Sequence, residues 1–107
     1  MTVSQDSFGL SEQTVDRIRS VLEKCTGIEK AILFGSRAKG NFKPHSDIDL
    51  TLVGPALGTG DLLKIAGKLD DLLLPYKIDL SLIHEISDAD VLDHIRRVGV
   101  CFFSRES

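Results

Sequence analysis

Two short segments of this 107-residue chain alternate polar and apolar side chains, and they constrain its fold more than any other feature. In residues 48–53 the apolar side chains occupy every second position, so Asp47 and Asp49 share the opposite side. Residues 77–83 repeat the alternation, and Asp79 occupies one of the polar positions. This period of two predicts two strands, each with one face toward a core and one polar face.

The segments between and around these strands predict three helices, a helical turn and two further strands. One of these strands is predicted at residues 30–34, which are mainly apolar, and the helical turn follows it from Gly35. The elements predicted elsewhere are a helix from Ser11 to Gly27, a helix from Leu62 that Pro75 ends, a helix opened by Ser87 and Asp90 as a capping box, and a strand at 100–103. We therefore expect a small α/β (α+β) fold, with a mixed sheet of about four strands flanked by helices, although the alternating pattern by itself leaves the strand directions open.

Length and composition predict one domain. A single core usually organises about 100–150 residues, and this chain has 107. Its hydrophobic content of 42% and charged content of 27% are typical of a globular protein and exclude a disordered or fibrous one. We expect residues 1–10 to form a flexible tail and residues 11–107 to form the single domain.

Charge and hydropathy narrow the possible partners and location. The formal net charge is −3, which provides no overall attraction to nucleic acid or to an anionic membrane. No apolar run approaches the roughly 18 residues of a membrane span, and the first residues lack the pattern of a signal peptide. Cys25 and Cys101 are isolated in sequence, so we expect buried, reduced thiols. Together these features predict a cytoplasmic protein.

A glycine and a serine follow the first predicted strand and suggest a phosphate site. Gly35 allows a tight turn and close backbone approach, and Ser36 adds a hydroxyl at the start of a helical turn. Residues 30–43 contain basic side chains and no acid. Of these, Arg37 is favoured over Lys39 as a triphosphate ligand, because its planar fork holds two oxygens. The simpler alternatives are an ordinary turn and a solvated basic loop.

The three aspartates at polar strand positions predict a divalent metal site. Asp47 and Asp49 are about 7 Å apart along one side of a strand, and Asp79 joins them if the two strands are neighbours. Carboxylates suit Mg²⁺, and three of them together repel one another unless cations neutralise them. The simpler alternative is solvated acids on an edge strand, and some glycosyltransferases bind metal with the same Asp-x-Asp pair.

A phosphate-binding turn beside a carboxylate cluster indicates nucleotidyl transfer, with metal ions bridging a polyphosphate. The combination of Gly35-Ser36, ten intervening residues, Asp47-x-Asp49 and the later Asp79 resembles the polymerase-beta type nucleotidyltransferase superfamily. The resemblance is closest to its small MNT-domain members and extends from the first helix to the last strand.

The resemblance implies specific roles for these residues. Gly35 and Ser36 would contact the triphosphate of ATP, and Asp47 and Asp49 would hold two Mg²⁺ ions. Asp79 would ligate the catalytic ion and help activate the acceptor hydroxyl. Larger relatives continue into a helical domain that binds the acceptor, whereas this sequence ends at residue 107. We therefore expect the acceptor to be supplied by another molecule.

MNT-domain proteins are the antitoxin partners of HEPN-domain toxins. The resemblance thus implies transfer of AMP to a tyrosine hydroxyl of a HEPN toxin, an RNase, which silences it. Two alternatives stay open. The first is a nucleotidyltransferase whose acceptor site is completed by a partner subunit and whose acceptor is a small molecule or nucleic acid, the latter being less in keeping with the net charge. The second is a non-catalytic antitoxin that acts by occlusion.

Several other polar side chains carry weaker signals. The three histidines, His45, His84 and His94, are expected to have no direct role, because Mg²⁺ prefers oxygen ligands. Tyr76 is expected to pack at a strand edge, and the pattern leaves the roles of Lys39 and Lys43 open. The leucine-rich segment 62–74 is expected to be mainly core, with the possibility that part of it faces a partner.

Overall fold

Nine short elements follow one another in residues 8–105, the part of the chain described by this computed structural model. The helices are α1 (Glu12–Glu23), α2 (Ser36–Lys39), α3 (Thr59–Asp70) and α4 (Ala89–Val98), with a 3-10 turn at Ile83–Glu85. The strands are β1 (Lys30–Phe34), β2 (Ile48–Val53), β3 (Ile78–Leu82) and β4 (Val100–Ser104). None of the helices described is long and apolar enough to cross a membrane.

The four strands form one mixed sheet in the order β3-β2-β1-β4. β1 runs antiparallel to both β2 and β4, whereas β2 and β3 are parallel. A parallel pair needs a crossover connection, and α3 provides it. The structure thereby decides the strand directions that the alternating pattern leaves open, and the predicted four-stranded α/β fold is confirmed.

The apolar positions of the two alternating segments lie on the core side of the sheet, as predicted. Ile48 and Leu50 are completely buried, and they share one hydrophobic cluster with residues of α1 and α3. The cluster includes Val15, Ile18, Leu22, Ile65 and Leu69 from these two helices. Burial of these side chains is the main favourable term that holds the two helices on the sheet.

The opposite side of the sheet is partly covered by α4. This helix follows β3 and packs on β1, where an added Cβ at Gly99 would come within 2.8 Å of Ile32. Ile32 alternates with Ala31 and Leu33, which belong to the core cluster, so α4 lies on the polar side. Cover by this helix explains why some positions on the polar side are not solvated. Cys101 in β4 is exposed nevertheless, and Cys25 is only partly buried, so the expected burial of the two thiols is wrong.

Helix ends agree with the sequence at the start of α1 and differ at its end, at α3 and at the start of α4. α1 ends at Glu23, four residues before the predicted stop at Gly27. Ser11 caps α1 as predicted, with its Oγ accepting a hydrogen bond from the Thr14 amide at 3.1 Å. α3 ends at Asp70, five residues before Pro75, and Leu73 there has a left-handed φ of 55°. The predicted cap Ser87 is wrong, because the Asp88 carboxylate accepts the first α4 amides.

The end of the predicted flexible tail is packed. Leu10 is fully buried in the core, and the Phe8 ring lies 6.0 Å from the ring of Phe102. The tail prediction is therefore wrong for residues 8–10, whose apolar side chains carry no periodic signal but find space beside β4. Residues 1–7 lie outside the described part of the chain.

Candidate functional site

The turn between β1 and α2 requires glycine for two reasons. Gly35 has a φ of 79°, a conformation that other residues adopt only at a cost. A Cβ built at this position would also overlap the Asp49 carboxylate. The turn that the sequence predicts as a phosphate site therefore lies directly against one of the predicted metal ligands.

The sheet register brings the carboxylates together. Asp49 is the register partner of Phe34 in β1 on one side and of Asp79 in the parallel strand β3 on the other. Asp47 precedes Asp49 by two residues and so points to the same side of the extended chain. The two short strands thus place all three predicted ligands at one end of the sheet.

Burial and the neighbouring charges alter the pKa of the Asp49 carboxyl group. Partial burial raises the pKa of the Asp49 carboxyl, the neighbouring carboxylates of Asp79 and Asp47 raise it further, and His94 lowers it. Carboxylates that disturb one another in this way favour either a shared proton or a bound cation. The arrangement therefore provides an electrostatic reason for cation binding.

The donor chemistry at this edge suits magnesium. All three groups are carboxylates, which are hard oxygen ligands. Asp47 and Asp79 are exposed and Asp49 is half-buried. Across residues 8–105, no three acidic, histidine or cysteine side chains already converge into a closed metal centre. The exposed side chains of Asp47 and Asp79 would thus have to turn toward a cation shared with Asp49.

The basic side chains near the turn separate into exposed and buried ones. Lys39 and Lys43 are exposed. Arg37, which the sequence predicts as a triphosphate ligand, is only 2% exposed. Its Nε, Nη1 and Nη2 donate to the carbonyl oxygens of Ser46 at 3.0 Å, Phe8 at 2.9 Å and Pro44 at 3.2 Å.

These contacts correct the role predicted for Arg37. Three of the five N–H groups of its guanidinium donate to main-chain carbonyls, and the side chain is only 2% exposed, so burial keeps it from phosphate oxygens in this structure. Burial lowers the pKa of this group, and the nearby Tyr76 acts in the opposite direction. The sequence pattern identifies an arginine beside a phosphate turn but carries no signal of the loop that encloses it.

His94 is a site neighbour that sequence reasoning missed. Its ring meets the Phe34 ring edge to face at 6.2 Å between centroids, and Phe34 is the register partner of Asp49. A signal existed in the spacing, because His94 shares a helix face with Val91 and Val98, three and four residues away. Only the packing of α4 on the polar side of the sheet brings that face to the carboxylates.

The other two histidines lie elsewhere. His45 is exposed in the loop before β2. His84 follows β3, and its Nε2 lies 3.2 Å from the carbonyl oxygen of Leu57. Within residues 8–105, neither is described in contact with the three carboxylates.

Comparison with known sequences identifies a family model. The model described as "Polymerase beta, Nucleotidyltransferase" matches residues 16–107, which include the glycine turn and all three aspartates. A search of curated proteins found no match.

Solved structures share the fold. One chain in a crystal structure of a toxin–antitoxin with AMP-PNP superposes with a TM-score of 0.70 at 20% identity, over 86% of this chain and 74% of that one. A second, from a complex of the tri-AMPylated Shewanella oneidensis HEPN toxin with MNT antitoxin, has a TM-score of 0.66 at 18% identity, over 89% and 73%. A third, from the toxin–antitoxin MntA-HepT, has a TM-score of 0.66 at 17% identity, over 90% and 74%.

Proposed function

This chain belongs to the polymerase beta nucleotidyltransferase family, and we propose that it transfers AMP from ATP to a tyrosine hydroxyl of a HEPN toxin, as the antitoxin of the pair. The observation that carries the proposal is the placement of Asp49 between Gly35 and Asp79. The choice of acceptor is supported by the fold shared with chains of toxin–antitoxin complexes, one described with AMP-PNP and one with an AMPylated HEPN toxin.

The turn would hold the nucleotide. Gly35 has no side chain to block a phosphate group, and Ser36 supplies an amide and a hydroxyl beside it. Asp47 and Asp49 would hold two Mg²⁺ ions, and Asp79 would share one of them. Bound magnesium would neutralise charge on the phosphate oxygens as the reaction proceeds. Lys39 and Lys43 follow the turn in sequence and are exposed.

The proposed transfer is an in-line displacement at the α-phosphorus of ATP. The tyrosine oxygen forms a bond to this phosphorus as the bond to the bridging oxygen breaks, and pyrophosphate leaves. A tyrosine hydroxyl has a pKa of about 10, so a base must take its proton. Asp79 is exposed at the rim of the carboxylate cluster, and we assign it this role.

The test is the intact mass of the partner. The purified HEPN partner is incubated with this protein and Mg²⁺-ATP, and we expect an increase by one or more AMP units. The variant Asp47→Asn with Asp49→Asn should produce none. Asp93→Asn is the matched control, because it also removes an exposed carboxylate but lies on α4, paired with Arg97 at 2.9 Å. An unmodified partner in a stable complex with nucleotide-binding protein would contradict the proposal.

A second candidate function is neutralisation of the toxin by occlusion. It requires only the shared fold as a binding scaffold and no chemistry at the carboxylates. Toxin inhibition that survives the double substitution at Asp47 and Asp49 would select occlusion. Loss of inhibition with the complex intact would select chemistry.

A further inference from the structure

Arg37 contacts segments that lead into each part of the candidate site. It lies in α2, directly after Gly35 and Ser36. Its Nε donates to the carbonyl oxygen of Ser46, the residue before Asp47. Its Cζ lies 4.9 Å from the ring centroid of Tyr76, three residues before Asp79. One side chain therefore links the turn to the segments that precede both groups of carboxylates.

The surroundings of this cation are unusual. Arg37 is 2% exposed, yet its hydrogen bonds go to three carbonyl oxygens, and no ion pair to it is found in residues 8–105. The Phe42 ring lies 5.3 Å from its Cζ, in addition to the Tyr76 ring. A planar guanidinium can donate in several directions and stack on aromatic rings at once, whereas a lysine ammonium lacks this geometry.

The loop before β2 depends on these contacts. The carbonyl oxygen of Pro44 accepts from Nη2, and Ser46 Oγ accepts from the Lys43 amide at 2.8 Å. The next main-chain contact is made by the Ile48 amide, which donates to the carbonyl oxygen of Lys77 at 2.9 Å. Asp47 thus lies between two main-chain anchors, of which Arg37 supplies the first.

We propose that Arg37 is a positioning residue, which holds the phosphate turn, the loop before Asp47 and the segment before Asp79 in one arrangement. The catalytic part of this inference rests on the proposed function, whereas the ordering of residues 41–46 can be measured without it. Groups that orient metal ligands typically change metal affinity or activity by about 10–100-fold when removed. We expect Arg37 to fall in this range.

The experiment compares Arg37→Met with Arg105→Met. Arg105 is the matched control, because it also donates to main-chain carbonyls, those of Ile28 at 2.9 Å and Cys25 at 3.0 Å. It lies beyond the opposite end of β1, where Ser104 pairs with Lys30. Both variants lose several hydrogen bonds to main-chain carbonyls, Arg105→Met at an exposed position and Arg37→Met at a buried one, and only Arg37→Met loses them beside the site.

Two readouts separate positioning from general stability. Amide hydrogen exchange in residues 41–46 should accelerate at least about tenfold in Arg37→Met and stay unchanged in Arg105→Met. The Mg²⁺ concentration that half-saturates binding of AMP-PNP should rise about tenfold in Arg37→Met only. Both are measured well below the unfolding temperature of each variant, so that a lower Tm alone moves neither.

The outcomes distinguish the inference from the proposed function. Unchanged loop exchange in folded Arg37→Met would overturn the inference, and so would an unchanged Mg²⁺ dependence. A different result is that loop exchange is faster in Arg37→Met but the wild-type protein binds no AMP-PNP. This result would overturn the proposed function, and with it the catalytic part of this inference. If Arg37→Met does not fold, Tyr76→Leu takes its place with an expected effect of about threefold, on the scale of a single cation–π contact.

Discussion

On the side of the sheet that α1 and α3 cover, Leu33, Leu50 and Leu82 are buried at 0–1% exposure. On the opposite side, the neighbouring positions along the same strands include Asp49 and Asp79. The first set gains free energy by leaving water. The second set brings like charges together, and partial burial of Asp49 raises its pKa. Of two adjacent residues in one strand, one therefore stabilises the fold and the other opposes it, and the opposing side carries the proposed site.

The largest effect is expected on the charged side. Asp49→Asn should lower the rate of nucleotidyl transfer by about a thousandfold, because it removes a ligand from metal ions that stabilise the transition state. A rate within threefold of wild type, measured by AMP incorporation into the partner, would contradict the role assigned to this carboxylate.

The same variant should show the opposite effect on stability. Because the folded state raises the Asp49 pKa, its contribution to stability is present below the unfolded pKa and is lost as pH rises through the folded pKa. Metal-free Asp49→Asn should therefore melt at a higher temperature than wild type at pH 7, with the difference shrinking toward pH 4. Thermal unfolding of both proteins across this pH range measures the difference in Tm. A variant with a lower Tm than wild type at pH 7 would contradict the argument that the charged side of the sheet opposes folding.

The matching substitution on the core side is Leu50→Ala, one residue along the same strand. Leu50 is fully buried, and such a truncation costs about 2–5 kcal/mol because it leaves a cavity. We expect a lower Tm and a lower midpoint in urea, with the transfer rate per folded molecule close to wild type at low temperature. A stability equal to wild type would show that this side is not the core that holds the sheet.

Gly35→Ala tests the point where both sides meet. The positive φ of 79° and overlap of the new Cβ with the Asp49 carboxylate predict a loss of about 1–3 kcal/mol. Activity should fall more than tenfold, because the displaced carboxylate lies in the site. Gly40→Ala is the control for conformational strain alone, since Gly40 has a φ of 91° and open space around its Cβ position. Equal activity losses in both variants would contradict the overlap argument.

The smallest effect is expected at Ser81, which lies on the polar side two residues after Asp79. Its Oγ is buried without a hydrogen-bond partner among the residues described. Removing an unsatisfied hydroxyl is close to neutral or stabilising, so Ser81→Ala should change the unfolding free energy by less than about 1 kcal/mol, in the favourable direction. A clear decrease in Tm would indicate that this hydroxyl has a partner in solution.

Much of the sheet could be predicted because strand alternation is a local property. The period of two assigns Asp49 and Leu50 to opposite sides before any partner strand is known. The predicted packing of Ile48 and Leu50 in the core is confirmed by their burial. The roles of the three aspartates and of Gly35 and Ser36 in catalysis stay predictions, although the structure brings Gly35, Asp49 and Asp79 together.

The corrections for residues 8–10 and for Arg37 depend on contacts between segments distant in sequence. Phe8 lies 29 residues from Arg37, and their hydrogen bond engages both a supposed tail and a supposed phosphate ligand. His94 reaches the carboxylates only because α4 packs over β1. Periodicity describes which face of an element is apolar, and it contains no information on which element covers that face.

The amino-acid sequence by itself determined the elements, the parity of the acidic positions and the glycine turn, because each follows from neighbouring residues and backbone geometry. Only the tertiary structure decided that β2 and β3 run parallel, which aligns Asp49 with Asp79. It also decided that Arg37 is enclosed by carbonyls. A guanidinium binds whichever oxygen the fold brings within reach, and that choice requires the positions of residues far along the chain.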